Sequence, residues 1–158
     1  MEIKLRRFSI SDLDEVMEIE KASFPNRQIY SENYFKKLYQ KYPEGFIVAE
    51  EKGKIFGYAI SQVKNQVPTE RVGEIISLAI KPDFRQKGIG EKLSNFLINQ
   101  FKEREVKKVF LHVRTKNRVA ISFYKKLGFE ILKKIKNYYQ NGNDAYLMEK
   151  KLGTWRSG

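Results

Sequence analysis

The chain of 158 residues contains no cysteine, a single histidine and only four prolines. The absence of cysteine excludes disulfides, thiolate metal sites and a cysteine nucleophile. One histidine among scattered carboxylates makes a poor metal site, so we expect no bound metal. No apolar run is long enough to cross a bilayer, and we expect neither a membrane span nor a signal peptide. These absences indicate a globular cytoplasmic protein without a metal.

The charge of the chain is large and uneven. The net charge is +12, with 16 basic and 14 acidic residues in 1–100 but 15 and 5 in 101–158. A basic surface attracts polyanions such as nucleic acid, ribosomes or a phosphate-rich cofactor, although a solvated surface also explains single lysines. The length suits one domain, which we place at residues 1–152, followed by a short tail at 153–158.

The pattern of apolar residues predicts the element order β-α-α-β-β-β-α-β-α-β-β. Ser31 and Asn117 are placed to cap helices, and Gly128 is placed to end one. Residues 65–71 are predicted to form a polar loop between two strands. This order favours an α/β fold with a mixed sheet and helices on both faces.

The stretch from Glu74 to Phe101 combines a strand, a short turn and a helix. Residues 75–80 are β-branched and apolar, and residues 85–90, with the sequence RQKGIG, open an amphipathic helix. Unpaired N–H groups and the helix dipole attract an anion there, and glycines allow it to approach closely. The turn is therefore a candidate pyrophosphate site, or else an ordinary turn with solvated basic residues. A third glycine and a P-loop motif are missing, which disfavours a dinucleotide fold and a P-loop NTPase.

This turn resembles the Gln/Arg-x-x-Gly-x-Gly/Ala signature for acetyl-CoA in the GCN5-related N-acetyltransferase (GNAT) superfamily. The segments at 111–114, 117–124 and 128–129 resemble the N-terminal acetyltransferases of the RimI type, so the resemblance covers most of the chain. It implies a GNAT fold, whose mixed sheet splays between the fourth and fifth strands. It also implies that the cofactor is acetyl-CoA, which leaves as coenzyme A. The residues that it implies for cofactor binding are Leu78, Ala79, Ile80, Arg85, Gln86, Lys87, Gly88, Ile89, Gly90, Asn117 and Tyr124.

Transfer of an acetyl group to an amine needs a neutral amine, a stabilised oxyanion and a protonated leaving thiolate. His112 has an ordinary pKa of ~6.5, which suits a base, but it could equally be a hydrogen-bonded strand residue. The resemblance implies that His112 is the general base, usually through water. It implies that Glu74 is a second base or orients that water, unless Glu74 is a solvated carboxylate. It also implies that Tyr124 is the general acid, although Tyr124 shares a helix face with apolar core residues.

The resemblance also implies residues that bind the acceptor. Phe24, Pro25 and Tyr30 match the loop that contacts its first residue, and Tyr138 and Tyr139 match paired tyrosines that hold its backbone. One branch of the family has glutamate after this proline, whereas residue 26 is asparagine here. This departure favours a hydrophobic first residue such as Met, alongside Ser or Ala.

The chemistry of amines independently favours an α-amine acceptor. An α-amine has a pKa of ~7.8 and lysine ~10.4, so deprotonating lysine at neutral pH costs about 3.5 kcal/mol more. We therefore predict an acetyl-CoA-dependent N-terminal α-amine acetyltransferase that works by direct transfer in a ternary complex. Two alternatives stay open: a GNAT enzyme that acetylates lysine, a polyamine or another small amine, and a basic ribosome- or RNA-binding module on a degenerate GNAT fold.

The expected partners follow from this prediction. Protein or peptide N-termini are the acceptors, and the basic C-terminal half fits association with the ribosome. We expect no membrane partner and a monomer or weak homodimer.

Overall fold

The structure is a computed structural model that describes residues 2–24, 30–67 and 70–153. Its helices are α1 (Leu13–Ser23), α2 (Glu32–Lys41), α3 (Ile89–Glu103) and α4 (Arg118–Lys126). Its strands are β1 (Lys4–Arg7), β2 (Phe46–Glu51), β3 (Lys54–Val67), β4 (Glu70–Ile80), β5 (Lys108–Arg114), β6 (Glu130–Ile135) and β7 (Ala145–Lys151). None of the helices among these residues is both long and apolar enough to span a membrane.

The strands form one seven-stranded sheet in the order β1-β2-β3-β4-β5-β7-β6. Strands β4 and β5 are parallel, whereas β1 with β2, β2 with β3, β5 with β7 and β6 with β7 are antiparallel. The parallel ladder covers three residue pairs and ends at Glu74 and Phe110. The predicted element order and mixed α/β sheet are therefore confirmed.

The described chain forms two compact units, of which the first comprises residues 1–62 and 76–98. Its core is built from aromatic and aliphatic side chains of α1, α2, β2 and β3. Phe8 stacks on Phe46 with ring centroids 3.9 Å apart, and Phe35 meets Phe46 edge to face at 5.8 Å. Ser31 caps α2 as predicted, because its Oγ accepts the Tyr34 N–H at 3.1 Å.

The second unit comprises residues 63–75 and 99–158, and its core lies around β5 and β7. Strand β5 alternates strictly, with Val109, Leu111 and Val113 buried and the residues between them half-buried. Phe101 packs against Gly73, where an added Cβ would lie 2.9 Å from the ring, so glycine permits this close approach. Asn117 Oδ1 caps α4 by accepting the Ala120 N–H at 3.1 Å, as predicted.

One sequence prediction of local structure is wrong. Residues 65–71 are not one loop, because β3 extends to Val67 and β4 begins at Glu70. Strand pairing here outweighs the polar composition of the segment. Helix α3 begins at Ile89, after a short turn, in agreement with the predicted order of strand, turn and helix. The residues before it include Gln86 and Gly88 with φ of +62° and +79°, which are incompatible with an α-helix.

Candidate active site

Charged side chains from three strands of the second unit meet around Glu74. Its Oε1 lies 3.3 Å from the Lys64 Nζ, and its Oε2 lies 3.9 Å from the His112 Nδ1. Glu74 projects from β4, Lys64 from β3 and His112 from β5. The carboxylate therefore lies beside the ammonium group of Lys64 on one oxygen and the imidazole of His112 on the other.

The imidazole of His112 is held between aromatic rings. Tyr138 stacks on it with centroids 4.4 Å apart and an interplanar angle of 12°, and Phe110 meets it edge to face at 6.0 Å. Tyr139 packs perpendicular to Tyr138 at 4.9 Å. The predicted base and the predicted pair of acceptor-binding tyrosines therefore lie together.

The surroundings of His112 keep its ring neutral near physiological pH. Burial lowers the pKa of His112 below its ordinary 6.5, the Glu74 carboxylate raises this pKa, and Lys64 and Lys133 lower it further. The imidazole side chain is nevertheless 18% exposed, so water can reach it. A neutral and accessible imidazole can accept a proton, which is what a general base requires.

Tyr124 lies on α4 in a nearly dry environment. Its ring meets Phe123 and Phe129 edge to face, with centroids 5.0 and 5.5 Å away. Burial raises the pKa of the Tyr124 phenol well above its usual range. The hydroxyl therefore keeps its proton and can only act as a donor or a neutral hydrogen-bond partner.

The turn before α3, in the first unit, has the backbone of an anion site. Left-handed φ values at Gln86 and Gly88 curl the chain before the first turn of a 15-residue helix. A Cβ on Gly88 would meet nothing within 4 Å, so its backbone faces open space. Arg85 braces the turn by donating its Nε–H to the Ile80 carbonyl at 3.0 Å. This arrangement fits the pyrophosphate of a CoA-like cofactor.

The other residues predicted for binding are placed as follows. Lys87 lies over the Phe84 ring, 5.6 Å from its centroid, in the same turn. Ala79 and Ile80 are buried at the end of β4, and Leu78 is half-buried. Gly90 lies in the first turn of α3, which begins at Ile89.

The predicted acceptor loop is described only at its two ends. Phe24 and Tyr30 are partly buried and pack against the core of the first unit. The Tyr30 ring lies 5.1 Å from that of Tyr34 and 6.0 Å from that of Phe35. Pro25 lies outside the described residues.

A buried network next to these two residues was missed by sequence reasoning. Glu20 is fully buried on α1 and accepts hydrogen bonds from the Tyr58 hydroxyl, from the Ser77 hydroxyl at 3.1 Å and from the Tyr30 N–H at 3.1 Å. Its partners come from three separate parts of the sequence. The signal that could have found it is a glutamate among the apolar residues of α1, where a solvated residue is not expected.

Comparison with known proteins places the chain in a family. The model of the acetyltransferase (GNAT) family matches residues 13–129, and the chain belongs to this family. An N-alpha-acetyltransferase from Sulfurisphaera tokodaii is 33% identical over 155 residues, covering 93% of this chain and 92% of the relative. A putative ribosomal protein bS18-alanine N-acetyltransferase from Bacillus subtilis is 33% identical over 146 residues, covering 91% of this chain and 92% of the relative.

A solved structure extends the likeness to the fold. Naa50 from Arabidopsis thaliana, in complex with the bisubstrate analogue CoA-Ac-MVNAL, has a TM-score of 0.86 and 26% identity. The match covers 96% of this chain and all of the Naa50 chain. The predicted family, the GNAT fold and the enzyme class are therefore confirmed. The enzyme is an N-acetyltransferase and is similar to the protein N-terminal acetyltransferases.

Proposed function

We propose that this enzyme uses acetyl-CoA to acetylate the α-amine of protein N-termini by direct transfer in a ternary complex. The observation that carries the proposal is the cluster in which a neutral His112 lies between Glu74 and the stacked Tyr138. The cluster offers a proton acceptor and an aromatic surface at one place, and the described residues that form it include no nucleophilic serine or cysteine. Direct attack by the amine therefore fits better than a covalent acyl-enzyme.

His112 serves as the base in this proposal. Bound acetyl-CoA supplies an activated acetyl thioester. His112 accepts a proton from the attacking amine through water, because its pKa is held low enough to leave the ring neutral. Glu74 stabilises the resulting imidazolium from 3.9 Å and orients the water. Tyr124 donates its proton to the leaving sulfur, since its raised pKa keeps the phenol protonated until then.

We assign cofactor binding to the turn before α3, to the end of β4 and to Asn117. The turn at residues 85–90 holds the pyrophosphate through backbone N–H groups and the start of α3. Backbone groups of Leu78, Ala79 and Ile80 pair with the pantetheine, and Asn117 adds a contact besides capping α4. The CoA-based analogue bound in the Naa50 structure supports this cofactor.

The acceptor is a peptide N-terminus held by aromatic side chains. Tyr138 and Tyr139 hold its backbone, and Phe24, Pro25 and Tyr30 contact its first residue. Asparagine at position 26 leaves this contact without a carboxylate, so we expect Met, Ser or Ala at the first position. The names of the relatives support a protein N-terminus rather than a free amine.

A peptide panel with free and blocked N-termini tests the proposal. We expect mass spectrometry to place the acetyl group on the α-amine and to find no product once that amine is blocked. Acetylation of lysine alone would contradict the N-terminal assignment while leaving the family intact. The same panel gives the preference for the first residue.

We further propose that the basic half of the chain associates with the ribosome. Arg118, Lys125 and Lys126 line a groove on α4, and residues 101–158 carry a net charge of +10. Such a surface favours RNA, and its binding to ribosomes is expected to weaken steeply as salt rises. Co-sedimentation with ribosomes at increasing salt tests this; no sedimentation even at low salt would contradict it.

Three further predictions remain proposals. They are a single domain at residues 1–152, a monomeric or weakly dimeric state and a cytoplasmic location. The family match at 13–129 includes parts of both compact units, which supports the single domain. Size-exclusion chromatography with light scattering measures the oligomeric state.

A further inference from the structure

The buried carboxylate of Glu20 ties the backbone of Tyr30 to α1, the helix that ends beside Phe24. The Glu20 backbone carbonyl accepts the Phe24 N–H at 3.2 Å, and its Oε2 accepts the Tyr30 N–H at 3.1 Å. Phe24 and Tyr30 are thus tied to a single residue of α1. Of these two bonds, the side chain makes only the one to Tyr30, because the bond to Phe24 is the backbone bond that closes the last turn of α1.

The carboxylate is itself fixed by hydroxyl groups of the sheet. Tyr58 on β3 and Ser77 on β4 both donate to Glu20 Oε1, and their own hydroxyl oxygens lie 3.0 Å apart. Tyr58 and Glu20 are fully buried, and Ser77 is 5% exposed. Because each rotation of Glu20 would break one of these hydrogen bonds, its Oε2 points stably at the Tyr30 N–H.

Packing alone does not explain a carboxylate at this position. Removing a carboxylate from water is unfavourable even when it is hydrogen-bonded, and an apolar side chain of similar volume is often as stabilising or more so. An apolar residue at this position of α1 could pack next to Tyr58. What it could not do is bind the Tyr30 N–H.

We infer that Glu20 is a positioning residue for the acceptor. By holding the backbone of Tyr30 near the end of α1, where Phe24 lies, its side chain sets the surface that receives the first residue of the peptide. This inference rests on the proposed function, because that function assigns Phe24 and Tyr30 to acceptor binding. The binding of acetyl-CoA does not depend on it.

Glu20→Gln is the direct test. The amide keeps the size of the side chain, but it replaces one acceptor oxygen with a donor that faces either the Tyr30 N–H or the two hydroxyls. We expect the KM for the peptide to rise about tenfold, since a hydrogen bond to a charged group is lost. The KM for acetyl-CoA and the acidic limb of the pH profile should stay as in the wild type.

A matched control comes from the same unit. Ser61 is 1% exposed and donates to the Gly45 carbonyl at 3.1 Å, outside the network. Ser77→Ala and Ser61→Ala remove the same hydroxyl from equally buried sites. We expect only Ser77→Ala to raise the peptide KM, by a few-fold, while both lower the melting temperature.

A triple variant separates positioning from stability. Glu20→Leu with Tyr58→Phe and Ser77→Ala removes the buried carboxylate together with the two hydroxyls that donate to it. We expect its melting temperature to approach that of the wild type while the peptide KM stays high. This variant also keeps the test valid if Glu20→Gln does not fold.

Two results would overturn the inference. One is a triple variant with a wild-type peptide KM, and the other is a Glu20→Gln enzyme with lower turnover but unchanged KM. Binding of a CoA–peptide conjugate, measured by calorimetry against CoA alone, gives a second readout that needs no turnover. Failure of the proposed function is recognised separately, because the wild-type enzyme would then leave peptide α-amines unmodified.

Discussion

Glu74 and Glu20 carry the same side chain but differ in burial and in the groups that they contact. Glu74 retains 14% exposure and contacts Lys64 and the titratable His112. Glu20 has no exposure and binds hydroxyl groups and a backbone N–H. The first carboxylate lies beside a group that can change its charge, whereas the second lies beside donors that cannot. The partners of a carboxylate, rather than the residue type, therefore decide whether it influences proton transfer or position.

The largest expected effect lies in the Glu74 region. His112→Ala removes the proton acceptor, and turnover should fall about 10²- to 10⁴-fold. Steady-state kinetics with a free peptide N-terminus measures this, with thermal unfolding as the control for folding. A loss of less than about threefold would assign the base to Glu74 instead.

Tyr124→Phe should give the next largest loss. Turnover should fall about 10- to 100-fold because the leaving sulfur loses its proton donor, while the KM for acetyl-CoA changes little. Tyr146→Phe, a half-buried tyrosine of β7, serves as the matched control and should remain active. A large loss of acetyl-CoA affinity with normal turnover would refute the acid role of Tyr124.

Two glycines of the first unit, which also contains Glu20, provide a matched test of the proposed anion-binding turn. Gly88 and Gly53 have φ of +79° and +80°, and a Cβ at either would meet nothing within 4 Å. Substitution by alanine should therefore destabilise both similarly, by about 1 kcal/mol. Only Gly88→Ala should raise the KM for acetyl-CoA, by about fivefold, because its backbone belongs to the anion-binding turn. Equal KM values for both variants would argue against that turn.

The smallest effects are shifts in the pH profile. The neutral form of His112 is the active one, so activity falls as pH drops through its pKa. Glu74→Gln removes a negative charge that raises this pKa, and the acidic limb should move to lower pH. Lys64→Gln and Lys133→Gln remove positive charges that lower it, and the limb should move to higher pH. Profiles of kcat/KM against pH measure these shifts. If the Glu74 variant and the lysine variants moved the acidic limb in the same direction, the electrostatic explanation would be contradicted.

Most of the local structure could be predicted from the sequence. The caps at Ser31 and Asn117 and the left-handed Gly128 depend on neighbours within a few residues, and all three are present. The alternation of β5 also requires only a period of two, which places His112 on the half-buried face. Local chemistry is therefore sufficient for these features.

Features that depend on packing between neighbouring elements escaped prediction. The segment 65–71 looks like a loop by composition, yet β3 extends to Val67 and β4 begins at Glu70. Helix α3 buries Ile98 and leaves the larger apolar side chain of Phe96 half-buried. Both outcomes depend on neighbouring elements, which a periodic pattern does not identify.

The sequence by itself determined the order of elements, because this depends on local residue chemistry, and its resemblance to a family supplied the candidate base, acid, anion-binding turn and acceptor-binding tyrosines. Only the tertiary structure decided what surrounds them. It placed Lys64 on Glu74, stacked Tyr138 on His112 and buried Glu20 with Tyr30, Tyr58 and Ser77. Burial and charge pairing act through space, so the protonation of His112 and the role of Glu20 follow from the fold rather than from any motif.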